Sequence, residues 1–207
     1  MNMEEYKKIC NMSYDDYCDY LKNKYGRIFG TYFVTDSCST LNKKIKRGND
    51  GLFIHHIKEV ERISLSKKEY AEQAPFEYQY GENLVYCDYL EHLLLHIMIC
   101  EHPKPIDENE TPGITGVIEF LVPTLNDCYC GALPEDSAKT HWKIESFNKI
   151  KNDKDVYLEL LKRFVKNSTY NNNINDLLTS AKFNYNSEAY PIENNKMIFD
   201  EIRKALK

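Results

Sequence analysis

Apolar residues concentrate in two short runs and one longer run near the middle of the chain. The first run, residues 51–57, ends in paired histidines, and the second, residues 83–87, is rich in strand-forming residues. The third run, residues 89–101, is apolar around much of its circumference, which predicts a buried helix of about three and a half turns. Because this helix directly follows the second run, we predict a strand hairpin packed against it.

The start of the predicted helix is marked by a capping box. Asp88 is a good N-cap residue, and Glu91 follows three positions later. His92 and His96 are four residues apart, so their rings project from one face of the helix. Imidazoles on a buried face need partners, because an unsatisfied polar ring in a core is costly.

Four of the six histidines of the chain fall inside these elements. His55 and His56 are neighbours on a strand, so one ring can turn toward the helix while the other faces a substrate. His55, His92 and His96 would then form a three-histidine site that suits Zn²⁺, Ni²⁺ or another first-row divalent ion. His56, beside that site, is a candidate general base.

Two other interpretations of these histidines have to be weighed. A His-x-x-x-His pair on an apolar helix is often structural, but the adjacent histidine pair and Asn83 at the start of the second run favour a metal site. A zincin protease is disfavoured, because its His-Glu-x-x-His signature requires a glutamate where Leu93 stands.

Five residues in this order resemble the motif of the HNH endonucleases, also called His-Me finger or ββα-metal nucleases: His55, His56, Asn83, His92 and His96. The version with paired histidines is similar to the nuclease domains of the colicin-type DNases. The resemblance covers residues 51–102, about a quarter of the chain. It implies that His56 activates water and that the other three histidines hold one divalent ion (Zn²⁺, Ni²⁺, Mn²⁺ or Mg²⁺). It also implies that Asn83 ties the connecting loop to the hairpin and fixes the orientation of His56.

The chain departs from that family pattern in the connection between the two strands. Cys-x-x-Cys knuckles are absent, and the stretch from His56 to Asn83 is long, which predicts an inserted element. A capping-box pattern at residues 66–69, followed by Pro75, predicts a short helix within it. Glu59 and Glu61 lie just past His56, and each is interpreted either as a partner to a ring N–H or, more simply, as an exposed charge.

We therefore expect an α+β protein with a ββα-metal motif embedded in mostly helical flanks. Residues 1–50 are expected to form a helical arm and a basic segment, residues 51–103 the nuclease core, and residues 104–207 a helical region that packs on the core. Apolar spacing over residues 114–125 predicts a packing helix, which Pro123 should kink or end.

A basic cluster lies just before the histidine strand and consists of Lys43, Lys44, Lys46 and Arg47. The net charge of −5 argues mildly against a nucleic-acid partner, although the distribution of charge matters more than its sum. The cluster is either a solvated charge run or a clamp for phosphate groups.

The chain shows no signal-peptide pattern at its start, and its seven cysteines do not form a secreted disulfide framework. Its apolar helix is shorter than the ~20 residues that a membrane span needs. These features indicate a cytoplasmic protein without a membrane partner. The predicted function is metal-dependent hydrolysis of double-stranded DNA. The alternatives are a non-catalytic DNA- or protein-binding module with the same fold, or a nuclease acting on RNA.

Overall fold

The computed structural model of the chain describes residues 1–103, 112–168 and 174–207. Over these residues the protein belongs to the α+β class, being mostly helical with one antiparallel pair of strands. The strands are β1 (Phe53–His56) and β2 (Leu84–Cys87). The α-helices are α1 (Met3–Ile9), α2 (Tyr14–Tyr25), α3 (Lys68–Ala71), α4 (Tyr89–Glu101), α5 (Val122–Tyr129), α6 (His141–Asn148), α7 (Lys154–Asn167), α8 (Ala181–Tyr185) and α9 (Lys196–Ala205). A π-helix spans Gly116–Leu121, and 3₁₀ turns span Lys43–Ile45, Gly48–Asp50, Ile57–Val60, Phe76–Gln79, Gly81–Asn83, Ile174–Leu177 and Ile192–Asn195.

The strand pair and the helix predicted from the three apolar runs are present. β1 and β2 pair in the register that places His55 opposite Val85 and His56 opposite Leu84. Every residue of β2 is buried, which agrees with its nearly continuous apolar sequence. One residue, Asp88, separates β2 from α4, so the helix starts directly at the end of the sheet.

The helix α4 is the centre of the fold. Its capping box forms as predicted: the Asp88 side chain accepts a bond from the Glu91 backbone, and the Glu91 side chain accepts one from the Asp88 backbone. All positions of α4 except its last, Glu101, are buried. It packs against α2, α7, both strands and the π-helix. A helix that is apolar on all sides can be stable in water only when other elements cover it in this way.

One large hydrophobic core surrounds α4 and draws on distant parts of the chain. Tyr17 and Leu21 reach it from α2, Leu160 from α7 and Ile202 from α9, and all four are completely buried. Both the N-terminal helices and the C-terminal helices therefore pack around the strand–strand–helix unit.

Two local predictions fail in detail. The connection between the strands does contain an inserted helix, α3, but it starts after Lys67 without a side-chain cap, so the capping box expected at residues 66–69 is not formed. Of the two outcomes expected of Pro123, a kink or an end of the helix, the second is wrong, because the helix continues to Tyr129. Pro123 lies in the first turn of α5, directly after the π-helix, where the missing N–H of proline costs least.

None of the helices in the described parts of the chain has the length and apolar character needed to cross a bilayer.

Candidate metal centre

Three histidine side chains converge between the sheet and the central helix. β1 contributes His55, and two successive turns of α4 contribute His92 and His96. One ring nitrogen from each residue lies within 4.8 Å of the other two. The Nε2 atoms of the two helix histidines are 3.2 Å apart. The structure thus brings together the three residues that the sequence predicts as ligands.

The ring of His55 is oriented by a tyrosine from the N-terminal arm. The Tyr14 hydroxyl lies 3.0 Å from the backbone oxygen of Ile57 and 2.8 Å from Nε2 of His55. A carbonyl oxygen only accepts, so Tyr14 donates its single proton to Ile57 and accepts the Nε2–H of His55. Nδ1 of His55 is then the unprotonated nitrogen, which is the form that a metal ion requires.

Three of the ring nitrogens at this centre are buried without a hydrogen-bond partner. Among the described residues no group makes a hydrogen bond to Nδ1 of His55, His92 or His96. Buried polar atoms are nearly always satisfied, so such atoms require an explanation. Three imidazoles converge here, and Nδ1 of His55 has a lone pair without a partner. This donor set fits a divalent first-row ion.

The electrostatics of the site keep its histidines uncharged. Burial lowers the pKa of His96 from its ordinary 6.5 to about 4. Burial, together with the neighbouring histidines, holds the pKa values of His55 and His92 well below 6.5. All three rings are therefore neutral at pH 7, and protons do not compete with a metal ion for their nitrogens.

A carboxylate also lies in the site. Glu59 is in the 3₁₀ turn that follows β1, and its side chain is 12% exposed. Its Oε2 atom lies 3.5 Å from Nε2 of His96 and 3.9 Å from Nδ1 of His55. Burial raises the pKa of Glu59 from 4.5 to about 7. The simpler interpretation of Glu59 as an exposed charge is therefore wrong.

The π-helix forms one wall of the site. A Cβ atom at Gly116 would lie 2.3 Å from both Cε1 and Nδ1 of His96, so only glycine allows this close approach. The sequence predicted that this helical stretch packs on the core without a role in the chemistry. Its first residue in fact touches a predicted ligand.

His56, which the sequence predicts as a candidate base, lies on the same pocket as the three converging histidines. It lines a pocket of about 430 Å³ together with His55, His92, His96 and Glu59. Its Nε2 atom lies 2.9 Å from Oε1 of Gln79, whose amide nitrogen donates to the backbone oxygen of Leu65. That second bond assigns the amide oxygen to His56, so Nε2 carries the proton and Nδ1 is the free acceptor.

Asn83 does not contact the His56 ring directly. It is half-buried at the end of the 3₁₀ turn before β2, and its side chain donates to the backbone oxygen of Glu77, 2.8 Å away. Asn83 therefore ties the end of the connecting loop to the start of β2. The direct contact to the His56 ring comes from Gln79, two residues after Glu77.

The basic cluster lies beside the site on a second pocket of about 620 Å³. Lys43, Lys46 and Arg47 line it with Trp142, and Ile54 lines both pockets. Lys43, Lys44 and Lys46 are exposed.

Arg47 is engaged within the protein. Its guanidinium donates to Asp50 and to the backbone oxygen of Tyr25, and it lies 5.0 Å from the Tyr86 ring centre. The cations of this cluster that face solvent are thus the lysines.

Fold and site together define an α+β protein with a candidate three-histidine metal centre. Comparisons with known protein families, with curated proteins and with solved structures find no match. The site is consequently characterised by its own geometry. Sequence reasoning missed Tyr14, Gln79 and Gly116, because each reaches the histidines through tertiary packing, and no local pattern marks them.

Proposed function

We propose that the chain is a metal-dependent endonuclease that hydrolyses phosphodiester bonds in double-stranded DNA. In this proposal β1, β2 and α4 form a ββα-metal motif of the HNH type. The observation that carries the proposal is the juxtaposition of three converging imidazoles with a fourth, His56, on the same pocket. Hydrolysis of a phosphodiester requires positive charge at the phosphate and a base for the attacking water, and this arrangement offers a place for both.

His56 is the residue assigned to the water. Its Nδ1 accepts the proton while Gln79 holds Nε2–H and keeps the ring in one tautomer. The water attacks the phosphorus in line with the leaving 3′ oxygen. A divalent ion bound by His55, His92 and His96 would supply the positive charge that stabilises the phosphate as the bond breaks.

The protonation state of His56 agrees with this role. Burial lowers its pKa from 6.5 to about 4, so the ring is neutral and able to accept a proton at pH 7. A substrate phosphate brings negative charge close to the ring, which favours the protonated form and raises its basicity. The base thus becomes stronger when substrate is bound.

The neighbouring pocket is suited to the DNA strand on either side of the reacting phosphate. Lys43 and Lys46 provide positive charge there, and Trp142 provides an aromatic surface. Ile54 lines both pockets, so the two pockets adjoin, which supports a course of the DNA strand from the lysines toward the histidines. Phosphate contacts of this kind position nucleic acid without reading its sequence.

A plasmid-nicking assay with metal-free protein and added Mg²⁺, Mn²⁺, Ni²⁺ or Zn²⁺ tests the proposal. Wild type should nick the plasmid with at least one ion. His56→Ala should lose nicking while retaining metal binding, and His92→Ala should lose both. His141→Ala is the matched control, because His141 is exposed on α6. Nicking by His56→Ala at the wild-type rate would refute the assignment of the base.

A non-catalytic binding module is the second candidate. One observation favours it: His56 is only 1% exposed, whereas a base must reach water and substrate. Retained metal and DNA binding with no cleavage under any ion would support this module. Running the same assay on single-stranded and double-stranded RNA separates a DNA nuclease from an RNA nuclease.

A further inference from the structure

The 3₁₀ turn after β1 brings the carboxylate of Glu59 close to the three histidines. The strand ends at His56, and residues Ile57–Val60 form a turn instead of continuing the extended chain. Glu59 comes four residues after His55, and the turn brings its side chain to the same side as the His55 ring. In a continued strand, the direction of the Glu59 side chain would have been set by the alternation of the pleat.

The distances around Glu59 resemble those between the histidines themselves. Its Oε2 atom is 3.5 Å from Nε2 of His96 and 3.9 Å from Nδ1 of His55, and the two helix histidines are 3.2 Å apart. Donor atoms that surround one tetrahedral ion at 2.0–2.2 Å lie about 3.3–3.6 Å from one another. Glu59 thus stands near the separation expected of a fellow ligand from His96 and His55, while the donor atoms of the described residues that all lie within 4.8 Å of one another are those of the three histidines.

The surroundings of Glu59 also favour a cation. The carboxylate is 12% exposed, two imidazoles face it, and its nearby support comes from the Leu65 backbone N–H and the charge of Lys67. A buried carboxylate is costly unless it is paired or bound to a metal. A divalent ion at the meeting point of the histidines would compensate that cost.

We propose that Glu59 is the fourth protein ligand of the metal centre, which makes the donor set three imidazoles and one carboxylate. This inference rests on the metal site of the proposed function and is independent of nuclease activity. The carboxylate adds a negative charge and a hard oxygen donor to three neutral nitrogens, so the set holds a divalent ion more tightly than three histidines alone.

A neighbouring glutamate provides the matched control. Glu61 is two residues farther along, and its carboxylate oxygens bind Lys58 and the Tyr78 hydroxyl, at 2.8 Å and 2.7 Å. Glu59→Gln and Glu61→Gln make the same chemical change within one loop. Only the first change removes a charged oxygen beside the histidines.

Isothermal titration of metal-free protein with Zn²⁺ and Co²⁺ measures the effect. We expect Glu59→Gln to lower the affinity for the ion by about 10- to 100-fold or more. The loss of a hydrogen-bonded partner of a ligand alone lowers metal affinity by that factor. Glu61→Gln should bind as wild type does. The visible absorption spectrum of the Co²⁺-loaded protein should change in Glu59→Gln, because the spectrum depends on the ligand atoms. Circular dichroism of each metal-free variant verifies the fold.

Each outcome decides the inference. A Glu59→Gln protein that is folded, binds more weakly and has an altered Co²⁺ spectrum supports ligation. Weaker binding with an unaltered spectrum overturns it, since Glu59 would then act only through its charge. Unchanged affinity in Glu59→Gln, with binding lost in His92→Ala, overturns the role of Glu59 and leaves the three-histidine site intact. A wild type that binds no ion overturns both proposals.

Discussion

Replacing Tyr14 by phenylalanine tests whether the N-terminal arm orients the metal centre. The Tyr14 hydroxyl joins Nε2 of His55 at 2.8 Å to the backbone oxygen of Ile57 at 3.0 Å. Tyr14→Phe keeps the aromatic ring, which packs edge-on against the imidazole. The substitution removes only the oxygen, so its effects report on the two hydrogen bonds.

The expected loss of stability can be worked out from the hydrogen-bonding group that the Tyr14 hydroxyl would leave without a partner. The Nε2–H of His55 is buried, and a buried donor without a partner costs about 1–3 kcal/mol of unfolding free energy. His55 also loses the contact that keeps Nδ1 unprotonated and aimed at the other histidines. Loss of such an orienting partner lowers metal affinity about 10- to 100-fold.

Urea denaturation of the metal-free protein and isothermal titration with Zn²⁺ measure the two effects separately. Tyr20→Phe is the matched control, because Tyr20 is also on α2 and its hydroxyl donates to Glu5 at 2.8 Å, away from the site. The control should lose about 0.5–1.5 kcal/mol of stability and keep its metal affinity. A Tyr14→Phe protein that binds Zn²⁺ as tightly as wild type would refute the orienting role.

Three further predictions concern the walls of the site and its titration. Gly116→Ala places a Cβ atom 2.3 Å from ring atoms of His96. The substitution should lower the unfolding free energy, measured by urea denaturation, by about 1–3 kcal/mol and should weaken Zn²⁺ binding. An unchanged stability and an unchanged Zn²⁺ affinity would contradict the close approach. Gln79→Leu removes the partner of His56 Nε2–H, so nicking should fall about 10- to 100-fold while Zn²⁺ affinity is retained; full activity would exclude an orienting role. Burial lowers the pKa of His56 from 6.5 to about 4 in the folded protein. As the pH falls below 6.5, this histidine takes up a proton in the unfolded chain but not in the folded protein, so the unfolding free energy decreases. Between pH 7 and pH 5 wild type should therefore lose about 2 kcal/mol more unfolding free energy than His56→Gln, with His141→Gln following wild type; equal losses in wild type and His56→Gln would show that His56 is not buried as a neutral ring.

The predictions that held are those that depend on neighbouring residues. The capping box between Asp88 and Glu91 is a contact over three positions, and the common face of His92 and His96 follows from helical geometry. The alternation of side chains on a strand separated His55 from His56. Each of these features is decided within one turn of helix or one strand, so the sequence alone predicts it.

The contacts that orient the two strand histidines could not be predicted, because they join distant parts of the chain. Tyr14 lies 41 residues before His55, and Gln79 lies 23 residues after His56. Many tyrosines and amides in the sequence could have served equally well. The choice depends on how α2 and the connecting loop pack against the sheet.

The sequence by itself determined the two strands, the central helix and which three imidazoles meet. Only the tertiary structure decided that Glu59 turns inward, that Gly116 admits the π-helix against His96, and that Tyr14 and Gln79 set the histidine tautomers. The physical reason is range: hydrophobic periodicity and capping act over a few residues, whereas burial and hydrogen bonding of a side chain depend on every element that packs around it.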